Sequence, residues 1–256
     1  MTDRDTPSPP SQRNFYSLPR ICTHVDDAFL NQLTELYRQK IPKGGAVFDI
    51  CSSWISHLPE EVEYSKVVGH GMNAEELQKN SRLDHFIVKN LNTEEIKFAA
   101  PDKSYDAVLC CVSIQYLQKP EEVFAEVYRV LKPGGLFIVS FSNRMFYEKA
   151  LAAWRDGTGK FCSFLSLNVC PDKRRLTLSK NLTGYSRSQL VKQYFGAVEG
   201  FTKPEVITEV GGAPDVSLMG KLQNFFKRTQ GDPFYAVVAH RNFKPVEGKI
   251  DIIHSK

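Results

Sequence analysis

Between residues 121 and 141 the chain passes from a helical stripe of apolar side chains, through Lys132, Pro133, Gly134 and Gly135, into the unbroken run Leu136, Phe137, Ile138, Val139, Ser140 and Phe141. Val123, Phe124, Val127, Val130 and Leu131 recur at helical spacing, so one side of that helix must be covered. Pro133 presets its own backbone angle and the glycines accept conformations closed to other residues, which gives a sharp reversal between helix and strand. A strand that is apolar on both sides cannot face water, so the sheet containing it needs a layer on each face.

The rest of the chain repeats that grammar. Residues 25–40 carry Phe29, Leu30, Leu33, Leu36 and Tyr37 at helical spacing, and Ile41, Pro42, Gly44 and Gly45 end the helix. Short apolar runs at 46–50, 66–69, 85–88 and 105–112 predict strands, as do 136–141, 205–210 and 233–240. Asn73 followed by Glu76 has the spacing of a capping box and predicts a helix start. Helices are also predicted over 145–154 and 188–195. Near-continuous apolar strands separated by helices indicate an α/β fold with a mostly parallel sheet. At 256 residues one domain is expected over 15–240, with its core at 46–141 and an irregular cap segment at 155–185. Residues 1–14 are expected to be a disordered tail and 241–256 a C-terminal tail.

Composition excludes several classes. The 33 basic and 29 acidic side chains leave a formal charge of +4 with no long block of one sign, so no nucleic-acid partner is expected. The densest basic run, Lys173, Arg174 and Arg175, reads as a solvated loop. Six cysteines without a C-x-x-C pair or a His/Cys cluster predict no metal site. No segment reaches the roughly 18 to 20 apolar residues of a membrane span, and no signal-like start is present, so a cytoplasmic protein is expected.

The string Arg129, Val130, Leu131, Lys132, Pro133, Gly134, Gly135, Leu136, Phe137, Ile138, Val139, Ser140 resembles the helix-to-fifth-strand segment of class I methyltransferases, especially the methyltransferase type 11 group. Asp102, Lys103, Ser104, Tyr105, Asp106, Ala107, Val108, Leu109 resembles that family's approach to its fourth strand. The resemblance covers roughly residues 46–141. It implies a doubly wound, mostly parallel seven-stranded sheet of Rossmann-like type with the last strand antiparallel, and S-adenosyl-L-methionine as cofactor. Across residues 15–200 the chain also resembles a subgroup in which Ser52, Ser53, Trp54, Ser56, His57, Leu58 and Pro59 replace the family's glycine-rich loop.

The resemblance implies a cofactor site at the strand ends, built from Asp49, Cys51, Ser52, Ser53, Gly71, Met72, Asn73, Asn90, Leu91 and Ser113. Asp49 ends the first strand, and the loop after it has no glycine; serine hydroxyls are the donors offered instead. Gly71 falls where the family places an acid for the two ribose hydroxyls, leaving Asn73 or Glu75 to reach the ribose, with Asn73 equally suited to capping a helix. Met72 matches the position that packs on adenine, and Asn90 stands where an Asp is common. Ser113 and Gln115 follow the fourth strand, beside the methionine part.

On the acceptor side, His57 is a base candidate or a residue that caps and packs. Arg144 is a clamp for an anionic group or a surface ion-pair residue. Arg20, His24 and Asp26 precede the first helix, with Asp26 as its N-cap. The reading is a methyltransferase acting on a small intracellular acceptor, the alternative being a catalytically silent binding or scaffold protein on the same fold. A nicotinamide enzyme is disfavoured because no G-x-G-x-x-G follows the first strand.

Overall fold

The computed structural model describes residues 16–155, 179–210 and 231–243. The expected tail at 1–14, residues 156–178 of the cap segment and residues 244–256 lie outside them. Helix α1 (Asp27–Lys40) leads into β1 (Ala46–Ile50) and β2 (Lys66–Gly71), then α2 (Ala74–Lys79), β3 (His85–Val88) and β4 (Tyr105–Cys111). A 3-10 turn at Ile114–Tyr116 follows, then α3 (Pro120–Val130), β5 (Leu131–Phe141), α4 (Ala152–Arg155), α5 (Ser179–Gly196), β6 (Glu205–Ile207) and β7 (Tyr235–His240).

The seven strands lie in the order β3-β2-β1-β4-β5-β7-β6. The first five strands run parallel, and β7 is antiparallel to both β5 and β6. This is the expected doubly wound sheet with an antiparallel last strand. Because side chains alternate across each strand, the sheet carries two cores. Phe48, Ile50, Val108, Phe137 and Val139 pack on one face with Phe124, Trp154 and Phe195. Val47, Leu109 and Ile138 pack on the other with Phe29, Leu33 and Tyr37 of α1. Each such large side chain contributes roughly 1.5 to 3 kcal/mol of burial.

The segment Lys132, Pro133, Gly134 and Gly135 sits inside β5 as an irregularity: Tyr105 pairs with Leu131, and Ala107 already pairs with Leu136. Gly134 takes φ +80 and its amide donates to the Arg241 carbonyl at 2.8 Å. Lys132 Nζ reaches Asp106 Oδ2 at 2.7 Å, and that oxygen also accepts the Ala46 amide at 2.8 Å. The sharp reversal thus ties β5 to β7 and to the start of β1.

One expectation fails clearly. A helix over 145–154 is not formed; only Ala152–Arg155 is helical. The Leu151 amide, which a helix over 145–154 would direct at the Tyr147 carbonyl, donates instead to the Gln115 carbonyl at 3.0 Å, and the Phe146 amide is held by the Tyr116 hydroxyl at 2.8 Å, so tertiary partners fix this segment. The strand expected at 205–210 is shorter, ending at Ile207. Among the described residues no helix is long and apolar enough to cross a membrane.

Candidate functional site

A cavity of about 370 Å³ opens beyond the carboxyl ends of the parallel strands, the place where open α/β sheets bind ligands. Its floor comes from the residues following β1, β2, β3 and β4, and its roof from residues 16–24 and from Arg144 to Phe146 after β5. Of the residues expected there from sequence, Cys51, Ser52, Ser53, Gly71, Met72, Asn73, Asn90, Leu91, Ser113 and Arg144 are on the wall.

The loop after β1 keeps a glycine-like backbone without glycine. Cys51 adopts φ +55, a left-handed conformation that costs a residue with a Cβ roughly 1 to 2 kcal/mol. Buried His70 holds it there: the Cys51 amide donates to His70 Nδ1 at 3.3 Å, and the Ser52 amide donates to the His70 carbonyl at 2.7 Å. His70 Nε2 faces the Lys89 carbonyl at 3.0 Å, so Nε2 carries the proton and Nδ1 accepts. The neighbouring Cys51 together with burial pushes the Cys110 thiol above its ordinary range. Ser113 Oγ donates to the Cys111 carbonyl at 2.8 Å and lies 3.4 Å from the Cys51 carbonyl, joining the ends of β4 and β1. Val112 beside it takes φ +47, a strained setting for a β-branched residue.

Two expected site residues lie off the cavity wall. Asp49 is buried beneath the loop rather than on the cavity wall, and accepts the Ser52 hydroxyl at 2.6 Å. Burial pushes its carboxyl up to about 7. His57 is also off the wall, because the loop carries it back toward α1, where its carbonyl accepts the Thr34 hydroxyl at 3.1 Å. It too has φ +55, and burial pushes its imidazole down to about 4. Gln115 is fully buried, with its Nε2 donating to the Val112 carbonyl at 2.9 Å, and Glu75 is exposed on α2; neither lines the cavity.

Gly71 has a steric reason to be glycine. A Cβ there would stand 2.6 Å from the Ser52 carbonyl oxygen, so the first loop has closed over the end of β2. Asn73 caps α2, accepting the Glu76 amide at 3.1 Å, while its Nδ2 donates to the carbonyls of Tyr16 at 2.9 Å and Ser17 at 3.4 Å. Asn90 turns the chain after β3, its Oδ1 accepting the Asn92 amide at 3.0 Å. Asn92 then bridges to the Tyr116 carbonyl at 2.8 Å and the Gln118 amide at 2.8 Å, closing the floor between β3 and β4.

The roof is a strap, residues 16–26, tied at several points. The Arg20 amide donates to Glu76 Oε1 at 2.7 Å, Trp54 Nε1 to the Cys22 carbonyl at 3.3 Å, and the Arg20 guanidinium lies 5.4 Å from the centre of the Phe146 ring. His24 meets Phe146 edge-on at 5.3 Å, and burial with nearby Arg20 pushes its imidazole below the ordinary value. At the end of the strap Asp26 and Asp232 each accept the other's amide, at 2.8 and 2.6 Å, and Asp232 Oδ1 also accepts Arg144 Nε at 2.6 Å. Arg144 is therefore both on the cavity wall and in an ion pair. Sequence reading missed Tyr16, Glu76, Lys89 and Asp232. Only Glu76 had a signal, the capping-box spacing, and that spacing points to the helix rather than to the cavity.

Residues 51–139 match the family model described as a methyltransferase domain. The biotin biosynthesis bifunctional protein BioHC of Teredinibacter turnerae is 35% identical over 68 residues, 26% of this chain and 12% of BioHC. The ubiquinone/menaquinone biosynthesis C-methyltransferase UbiE of Psychromonas ingrahamii is 31% identical over 86 residues, 33% of this chain and 30% of UbiE. The matched region thus spans less than a third of either relative. Among solved structures, a chain of the complex between the Haloferax volcanii Trm112 methyltransferase activator and a methyltransferase superposes with a TM-score of 0.50 at 14% identity, covering 84% of this chain and 91% of that one. That likeness concerns the fold.

Proposed function

We propose that this protein is an S-adenosyl-L-methionine-dependent methyltransferase acting on a small-molecule acceptor, with the cofactor held in the cavity at the ends of β1 to β4. The observation that carries the reading is the cavity itself, whose floor is built from the four strand ends inside the region that matches a methyltransferase domain. Its volume of about 370 Å³ suits a small ligand. The lining fits an adenosyl amino acid: the Met72 thioether and Leu91 for an aromatic ring, amide and hydroxyl groups at Asn90 and Ser113, and the Glu76 carboxylate. When bound, the cofactor supplies a methyl group already activated on a sulfonium.

The chain's own part is alignment and exclusion of water, the chief sources of rate for such a transfer. Tyr16, His24 and Phe146 close the mouth over the floor. His24, kept unprotonated at neutral pH, takes at an imidazole nitrogen the proton that an acceptor hydroxyl or amine must lose. Arg144, oriented by Asp232 through Nε, offers its terminal nitrogens to an anionic group on the acceptor.

A thermal-shift measurement tests the reading. S-adenosylhomocysteine at about 100 times its dissociation constant should stabilise the folded chain by roughly 2.7 kcal/mol, with NADH giving no shift. A shift with NADH and none with S-adenosylhomocysteine would overturn the reading.

A further inference from the structure

Among the described residues the cavity wall contains one carboxylate, Glu76, against the cationic side chains of Arg20, Lys89 and Arg144. Position 71 cannot supply another, since a Cβ there runs into the Ser52 carbonyl oxygen at 2.6 Å. Glu76 is the third residue of α2, and its carboxylate is fixed at both oxygens. Oε1 accepts the Arg20 amide at 2.7 Å, and Oε2 accepts the Ser53 hydroxyl at 2.6 Å. Each bond uses one acceptor position, so a second remains on each oxygen.

A carboxylate locked in place with one open position per oxygen matches a vicinal diol, whose two hydroxyls each donate one bond to an ionised acceptor. Acidic side chains near the second strand of nucleotide-binding α/β folds serve ribose in this way. We propose that Glu76 recognises the two ribose hydroxyls of the bound nucleoside, a role that Gly71 is sterically barred from taking. The proposal rests on the cofactor reading above. It has a built-in consequence: the same carboxylate holds the Arg20 amide, so occupancy of the ribose site and closure of the strap over residues 16–26 share one residue. A purely structural Glu76, present only to tie down the strap, makes no distinction between ligands with and without ribose hydroxyls.

Titration calorimetry on the full chain separates these roles, using S-adenosylhomocysteine and its 2′,3′-dideoxy analogue against wild type, Glu76→Gln and the exposed neighbour Glu75→Gln. Wild type and Glu75→Gln should prefer the hydroxylated ligand by ~10- to 100-fold, the range for charge-assisted hydrogen bonds. Glu76→Gln should lose most of that preference while keeping its affinity for the dideoxy analogue within ~3-fold of wild type, a difference of well under one hydrogen bond. The proposal is overturned if wild type binds both ligands equally, or if Glu76→Gln keeps the full preference or weakens both ligands alike. Wild type that binds neither ligand overturns the cofactor reading as well, whereas a hydroxyl preference independent of Glu76 overturns the proposal alone.

Discussion

Gly71 and Gly134 stand on opposite sides of the sheet's centre, and each would crowd a Cβ to well under 3.0 Å, yet they do so against different neighbours. At Gly71 the obstacle is the Ser52 carbonyl, backbone that is itself fixed by the bond from the Ser52 amide to His70. At Gly134 it is the ring of Phe243, which is 81% exposed and can swing away; the demand there is φ +80 alone. One glycine belongs to a site whose loops have closed on each other, the other to a scaffold turn. The difference teaches that the β5 turn preserves architecture, while the ends of β1 and β2 shape the cavity wall.

The sharpest way to break that comparison is to put an acid at position 71. Gly71→Asp should cost about 3 kcal/mol or more through overpacking and a buried charge, read as a lower urea midpoint. A cost below that of a turn mutation would show that the two loops are not locked together.

Next in size is the pH response of the two ionisable groups that flank the loop. His57, at about 4 when folded, stays neutral while the unfolded imidazole protonates, so it destabilises the protein as pH falls from about 6.5 toward 4. Asp49, at about 7 when folded, keeps its proton while the unfolded carboxyl ionises, so it destabilises as pH rises from 3.8 toward 7. In wild type the two slopes oppose each other. Asp49→Asn should leave stability rising with pH across that window, and His57→Asn should leave it falling, each by on the order of 2 kcal/mol in denaturation curves from pH 4 to 7. Asn suits position 57 because it tolerates a positive φ.

On the scaffold side the effects shrink. Gly134→Ala should cost about 1 to 2 kcal/mol from its left-handed backbone, without altering ligand binding. Lys132→Ala should cost less than about 1 kcal/mol, since its ion pair with Asp106 is partly exposed and Asp106 keeps the Ala46 amide. A large loss of binding from either variant would contradict the separation of site and scaffold.

The α/β class and the places of most strands followed from local signals, namely unbroken apolar runs, a helical stripe and the turn at Lys132 to Gly135, while the antiparallel last strand came from the resemblance. What escaped depended on partners distant in the chain. The helix expected over 145–154 failed because the Gln115 carbonyl, far back in the chain, takes the Leu151 amide hydrogen. Asp232 carried no local signal, since its role exists only once residues 26 and 144 meet it. The absence of glycine after β1 was legible, but not that Cys51 would keep the left-handed backbone with His70 holding it. Likewise, the Asn73 to Glu76 spacing announced the cap, and the cap is there. That the Glu76 side chain would turn to the strap and Ser53 required the fold.

Equilibrium dialysis of the full chain against radiolabelled S-adenosylmethionine tests the central claim most directly, namely that a loop without glycines still forms the cofactor site. Wild type should retain one equivalent and a folded Gly71→Asp variant none. No retention by wild type at about 1 mM ligand, equivalent to less than about 4 kcal/mol of binding, or equal retention by both proteins, would contradict it.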